Sequence, residues 1–574
     1  MADRGLLPRC WNWILGSRLV FLHKRVGSKP RPVRVGEVLR RMIAKRSLHQ
    51  QLPKIRQAML DAHQYGVAIP GGAEILVHAR DVIEETVRSD PAQGVWAAVD
   101  VDLVNCLPRP EWDEIDQAVA DTLPEMAAWT AWCHEDAADI DLPSGRVHHA
   151  GRGAEQGDPH GSLQAGVVLA RRVRRATAIV NSTRWGREGY FSLWFADDGQ
   201  VFCRPIQLDG FLGALDDELA AAGATRGNMP DCKSVVRLVG HPDALRAFEG
   251  TADADHWLTD RVRATCRIQE PSSDVLVLGA SLGSPAAREA QFIEKVGALT
   301  ELHGALAALG DAPVEMVLGR KCADVSRVSY LMRLGGSSLS EHVVSQHDAE
   351  QQRFLGDVLG GGIHDLAFTQ AAAGVRDGGL GFRSAAQMRL LAYLASRIEA
   401  RPFVARIMRD MVESGVGITG CMDRYDAQVE DALAEFLSGL PPGRADEVRM
   451  CCEEAAAKAE GRLDAFTQGR REEPPGAPVG SRHAGTQLLP EAGTEDHEHP
   501  LNTCQTRLQA RLARIVDAEA LYGVSEALSC AERWNMSAAY ASSETIIFSR
   551  KTKLQASAAA RARAAAEHKM CAPG

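Results

Sequence analysis

The chain is 574 residues long and carries 65 lysines and arginines against 75 acids, a net charge of −10. Hydrophobic residues make up 45% and charged residues 24%, which excludes collagen-like, disulfide-scaffold and wholly disordered chains and leaves length for about three or four folded units. The 13 cysteines include no CxxC pair, which argues against zinc fingers and knuckles; with no secretory leader in view they read as reduced, intracellular thiols.

From the N-terminus, the apolar stretches Trp11–Leu15 and Leu19–Leu22 are cut by Arg9, Arg18 and Lys24 into pieces far shorter than the ~20 residues that span a bilayer. A soluble chain without a membrane partner is expected. Residues 1–60 hold fourteen lysines and arginines against only Asp3 and Glu37. Such a basic end on an acidic body is either a solvated basic helix or an electrostatic footprint for a polyanion, and charge alone leaves both open. Next, VWAAVDV (95–101) is an apolar run of strand length, and EWDEIDQAVADTL (111–123) and SLQAGVVLARRVRRA (162–176) have helical spacing. YFSLWFADDGQVFCRPI (190–206) reads strand, tight turn, strand, with Asp197-Asp198-Gly199 placed at the turn. From about residue 286 the texture becomes helical. Residues 470–500, rich in Pro, Gly and acids, read as a flexible linker. A helical segment and an Ala/Arg-rich tail follow.

The chemistry concentrates in two acid clusters. Asp100 and Asp102 finish the apolar strand 95–101 and share a face, because side chains alternate with period two. Asp197 and Asp198 stand at the predicted hairpin. An Asp-Asp-Gly turn by itself is ordinarily just a turn, but adjacent carboxylates between apolar strands are costly unless a cation meets them. Two strand-end acids from separate elements are what a two-metal phosphoryl-transfer site requires, with ions ~4 Å apart clamping the attacking and leaving oxygens. Between the clusters, GAEQGDP (153–159) is a Gly/Pro-punctuated loop that lets backbone approach a ligand closely and runs into a helix N-terminus.

Other motifs carry less. His148-His149 has no acid or cysteine at metal spacing. Asn181-Ser182-Thr183 matches a glycosylation acceptor that a chain without a leader does not use. The glycines at 360–362 and at 378, 379 and 381 are loop punctuation rather than a phosphate cradle.

Taken together and in order, these blocks resemble the reverse transcriptases of non-LTR (LINE-type) retrotransposons. DLVNCLPR (102–109) looks like the first palm motif, GAEQGDPHGS (153–162) is similar to the Gly-x-x-Gln-Gly-Asp-Pro-x-Gly-Pro motif, and FADD (195–198) matches the Tyr/Phe-Ala-Asp-Asp hairpin. Lys29-Pro30-Arg31-Pro32-Val33 resembles a fingers motif, Gln64-Tyr65-Gly66 the Gln-Phe-Gly before the first palm strand, Lys233 a Lys-containing motif, and VLVLGASLGS (275–284) the primer-grip region. SYLMRLGG (329–336) and GGLGFRSA (378–385) look like C-terminal features of related elements.

The resemblance covers about residues 20–400. It implies an α+β right-hand polymerase: fingers over 1–95, a palm with an antiparallel sheet over 95–290, a helical thumb and following region over 286–410, and a mostly helical C-terminal region (helical 411–469, linker 470–500, helix and tail 501–574). The implied activity is RNA-directed DNA polymerisation on a primer 3′-hydroxyl. Asp102, Asp197 and Asp198 are the implied catalytic metal ligands for two Mg²⁺, with Mn²⁺ as the alternative, and Asp100 is a nearby structural acid. Lys29 and Arg31 would approach the triphosphate, Gln156 and Gly157 line the nucleotide and template side, and Lys233 act near the leaving pyrophosphate.

Implied partners are an RNA template, a DNA primer and deoxynucleoside triphosphates. A nuclear location follows from the family's habit. Leu107 departs from the family, standing five residues after Asp102 where an aromatic ring is thought to exclude the ribose 2′-hydroxyl. His160 and Ser162 also depart from the middle motif. No endonuclease-like constellation is legible, so the expectation is a chain that polymerises without cutting its target. The rival expectations are a non-catalytic nucleic-acid-binding remnant and a maturase-like RNA-binding protein.

Overall fold

The computed structural model describes residues 14–22, 30–104, 106–135, 138–142, 145, 147–181, 189–229, 232–470 and 507–527. The fold is α+β, and the chain divides into two compact units. The first comprises Met1–Ser273, Pro402–Arg424 and Glu460–Ser481; the second comprises Asp274–Arg401, Tyr425–Ala459 and Arg482–Gly574.

In the first unit, β1 (Ser17–Leu22) and β2 (Arg31–Gly36) form an antiparallel pair, followed by helices α1 (Val38–Asp61) and α2 (Gly72–Ser89). Strand β3 (Trp96–Val101) comes next, then α3 (Trp112–Thr122), β4 (Ala138–Asp141), β5 (Val147–Ala150) and α4 (Gly161–Asn181). The hairpin β6 (Tyr190–Phe195) and β7 (Asp198–Cys203) leads to α5 (Leu208–Ala221), β8 (Val235–Val239) and β9 (Arg267–Gln269). These strands make two sheets. One is four-stranded, in the order β2-β1-β4-β5; the other is five-stranded, in the order β6-β7-β3-β8-β9, and antiparallel except for β8 with β9.

The apolar run 95–101 becomes the central strand β3 because almost every side chain in it is buried. Val99, Val101, Trp194, Val201, Phe211 and Leu215 belong to one core cluster built on the five-stranded sheet. A second cluster gathers Ile55, Met59, Ile115, Leu163 and Val167 from α1, α3 and α4, with Leu107 packed partly against it.

The hairpin corrects the sequence expectation by about one residue. Phe195 pairs with Asp198, so the two turn residues are Ala196 and Asp197, and Asp198 and Gly199 already lie in β7. Gly199 is a packing glycine rather than a turn glycine: it faces Trp194 across the hairpin, and a Cβ there would come within 2.6 Å of the indole ring.

Among its described residues the second unit is nearly all helix after a small hairpin, β10 (Val275–Val277) and β11 (Ala280–Leu282). Its longer helices include α6 (Pro285–Ala307), α7 (Glu341–Leu359), α8 (Ala385–Glu413, reaching into the first unit's segment) and α9 (Arg507–Ala527). Phe292, Met332, Val344, Leu391, Leu394 and Leu512 anchor its larger core cluster. The helical texture expected from residue 286 is present; the linker expected over 470–500 lies outside the described residues beyond Arg470, as does the Ala/Arg-rich tail. Among the described residues no helix is long and apolar enough to cross a membrane, and the cysteines from Cys106 to Cys452 are free thiols.

Candidate active site

The β3–β7 register brings the two acid clusters to one end of the sheet. Val101 pairs with Gly199 and Asp100 with Gln200, so Asp102, one step past the end of β3, falls beside Asp198 at the start of β7; neighbouring antiparallel Cα atoms lie about 5 Å apart. Asp102 is fixed through its backbone, whose N–H donates to the buried Ser234 Oγ at 3.1 Å. Its carboxylate Oδ1 is 3.7 Å from Nζ of the exposed Lys233. Loss of hydration, and beyond it repulsion from Asp197, Asp102 and Asp100, raise the Asp198 carboxyl to about 6, with Lys233 opposing the shift. Asp197 also faces the buried Cys106, whose thiol burial and that negative charge push up to about 12.

Asp100 has a different role. Its Oδ1 accepts from Arg80 Nη1 at 3.3 Å, and Arg80 in turn pairs with the buried Glu84 of α2. Glu84 also binds Arg88 at 2.9 Å and Arg237 of β8. Asp100 therefore belongs to an ion network that locks α2, β3 and β8 behind the strand ends.

The hairpin tip is gripped by the segment His63–Gly66. Trp194 N donates to His63 O at 2.9 Å and Tyr65 N to Trp194 O at 2.7 Å, so this segment covers the open edge of β6. The Gln64 side chain binds both polar backbone atoms of Ala196: Ala196 N donates to Oε1 at 2.7 Å, and Nε2 donates to Ala196 O at 3.0 Å. Gly66 leaves no room for a side chain, because a Cβ there would lie 2.1 Å from Ala196 N.

The loop 153–159 is pinned to β2 and α1 by two acids. Glu155 Oε1 meets Arg34 Nη2 at 2.7 Å and Arg40 Nη1 at 2.9 Å, and Asp158 Oδ2 meets Arg40 Nε at 2.9 Å. Gly157 presses on this partner: a Cβ would sit 1.9 Å from Arg34 O. The close backbone approach expected here is thus made to β2, while Gln156 is exposed. Two of the N-terminal arginines are consumed in these pairs and do not face solvent as free cations.

Of the sequence-derived site residues, Asp102, Asp197, Asp198 and Lys233 come together at the strand ends. Leu107 is half-buried, its carbonyl accepting from Ala154 N at 2.7 Å, which ties the first acid block to the 153–159 loop. Lys29 lies outside the described residues; Arg31 pairs through its backbone with Leu22, and its side chain lies outside the description. The sequence reading missed Gln64 as a brace, and Ser234, Arg34, Arg40, Glu155 and Asp158 as anchors. Gln64-Tyr65-Gly66 stood out as a motif, but nothing local shows that it clamps a turn 132 positions away.

Among the described residues no group of three or more His, Cys, Asp or Glu is gathered tightly enough to hold a metal ion unaided. The strand-end donors are nevertheless hard carboxylate oxygens crowded by like charge with one exposed lysine opposite, a set that suits a hard divalent cation completed by further oxygens.

No family model matches the chain, and no curated protein matches it. Among solved structures it is similar to apo telomerase from Candida tropicalis truncated from its C-terminal domain, at 13% identity and a TM-score of 0.26, over 39% of this chain and 50% of that one. It is similar to telomerase from Candida albicans in complex with the TWJ fragment of telomeric RNA at 10% identity and a TM-score of 0.31, over 70% and 66% of the two chains. With apo telomerase from Candida tropicalis the figures are 11%, 0.32, 75% and 67%. The chain thus spans between 50% and 67% of the lengths of these telomerases. Similarity this distant leaves the chemistry to be read from the side chains.

Proposed function

We propose that the chain is a template-directed nucleotidyltransferase, an RNA-directed DNA polymerase of right-hand architecture descended from a non-LTR retroelement. The observation that carries this reading is the convergence of Asp102 with Asp197 and Asp198 at one end of the five-stranded sheet, where burial and, after it, repulsion among the acids raise the Asp198 carboxyl to about 6. Colinearity of the motifs in the sequence supports it.

Asp102 and Asp197 would hold two Mg²⁺, or Mn²⁺ in their place, with Asp198 completing the set. When bound, such a pair lowers the pKa of a primer 3′-hydroxyl and neutralises the leaving pyrophosphate. The substrate's phosphate oxygens would supply the ligands that the carboxylates alone do not. Lys233, exposed and beside Asp102, would meet a pyrophosphate oxygen as a point charge. Lys29, Arg31, Gln156 and Gly157 are assigned to the triphosphate and template side. The basic residues of the first sixty that are exposed, such as Arg18, Lys45 and Arg46, are proposed to grip the nucleic-acid backbone.

Primer extension tests this reading: purified chain, an oligo(dT) primer on poly(rA), dTTP or UTP, and Mg²⁺. Extension by the wild type that disappears in Asp197→Asn supports it. Absence of extension together with salt-sensitive RNA binding favours the non-catalytic, RNA-binding alternative.

A further inference from the structure

Gln64 is buried, and its single amide holds three backbone groups. Oε1 accepts from Ala196 N at 2.7 Å and from Gly66 N at 3.1 Å, while Nε2 donates to Ala196 O at 3.0 Å. Ala196 is the residue immediately before Asp197, and it sits at φ +54°, where L side chains are uncommon and strained. The Ala196 carbonyl lies in the same peptide plane as the Asp197 nitrogen. A donor fixed on that carbonyl and an acceptor fixed on the preceding N–H therefore set the planes on both sides of Ala196, and with them the direction in which the Asp197 side chain leaves the turn.

We propose that Gln64 is a positioning residue for the candidate cation site: its amide, bound to both polar atoms of Ala196, fixes the orientation in which Asp197 is presented. This rests on the reading of Asp197 as a cation ligand. It differs from a mere brace of the sheet edge, because that edge is already paired through the backbones of His63, Tyr65 and Trp194. Groups that orient a metal ligand without touching the metal typically change affinity by 10–100-fold when removed.

The test is a Mn²⁺ titration of the full chain, followed by the electron paramagnetic resonance of free Mn²⁺, alongside thermal melts. Gln64→Leu removes both bonds to Ala196 and is expected to weaken Mn²⁺ binding about tenfold. His63→Ala removes the His63 Nε2–Asp410 contact at 3.2 Å but leaves the Gln64 clamp intact, and is expected to bind like the wild type even where its melting temperature falls. Should Q64L not fold, Gln64→Asn, whose amide is one methylene too short to reach Ala196, is expected to show the same loss. If Asp197→Asn abolishes binding while Q64L or Q64N retains it, this inference fails and the reading of the site stands. If H63A loses as much as Q64L, the role is structural and the inference fails. If the wild type binds no Mn²⁺ and D197N is unchanged, both fall together.

Discussion

Each strand-end aspartate is held by a different device, so single substitutions should separate presentation from chemistry. The Asp102 backbone hangs on the buried hydroxyl of Ser234. Ser234→Ala is expected to cost about 1 kcal/mol of stability in urea unfolding and to slow extension without abolishing it. Leu107 leaves less bulk after the first acid block than an aromatic ring would. Under the proposed function, Leu107→Phe is expected to raise the ratio of dTTP to UTP incorporation several-fold; an unchanged ratio would remove Leu107 from sugar selection. At this scale the acids were legible because apolar strand patterns ending in Asp read directly from the chain. Gln64 and Ser234 were not, since each acts on a backbone group 132 positions away and no local pattern encodes that meeting.

Among elements, the ion network behind the site decides how firmly β3 is held. Burial alone would raise the Glu84 carboxyl, but the guanidinium groups of Arg80, Arg237 and Arg88 overrule it and hold it at about 2. Its stabilisation is therefore present above its ordinary value of 4.5 and is lost as the pH falls from there towards 2. Glu84→Gln leaves Arg237 buried without its carboxylate and Arg80 with Asp100 alone, and is expected to destabilise the first unit by about 3 kcal/mol, read by chemical denaturation at neutral pH. Gly157→Ala is expected to lift the 153–159 loop off β2, because its Cβ would meet the Arg34 carbonyl at 1.9 Å, and to cost about 1–3 kcal/mol. Strands β3, β6 and β7 and the helices α3 and α4 were readable from the sequence pattern, whereas β1, β2, β4, β5, β8 and β9 were not. The turn slipped because Asp-Asp-Gly carries the usual turn residues, whereas packing reserves Gly199 for the Trp194 ring and forces Ala196 into the positive-φ position.

For the whole molecule, the two units have separate cores and answer to pH differently. Burial raises the Asp324 carboxyl of the second unit to about 7, against the opposing pull of His347 and Arg383. The native state there takes up a proton that the unfolded chain has released, so stability falls as the pH rises from about 4 to 7 and the full penalty applies above that. The swing is on the order of 4 kcal/mol, and Asp324→Asn is expected to flatten it in pH-dependent calorimetry. The helical texture of this unit was visible in the sequence from residue 286, but its buried titrating acid was not, since Asp324 reads locally as an ordinary helix-start residue.

The central claim is that Asp102 and Asp197 share cations. Crystals of the full chain with primer, template and a non-reacting nucleotide, soaked in Mn²⁺, test it through the anomalous difference map. A peak within about 2.1 Å of oxygens from both residues is expected. A map with no peak at the strand ends, or one in which Asp102 and Asp197 point to separate sites, would contradict it.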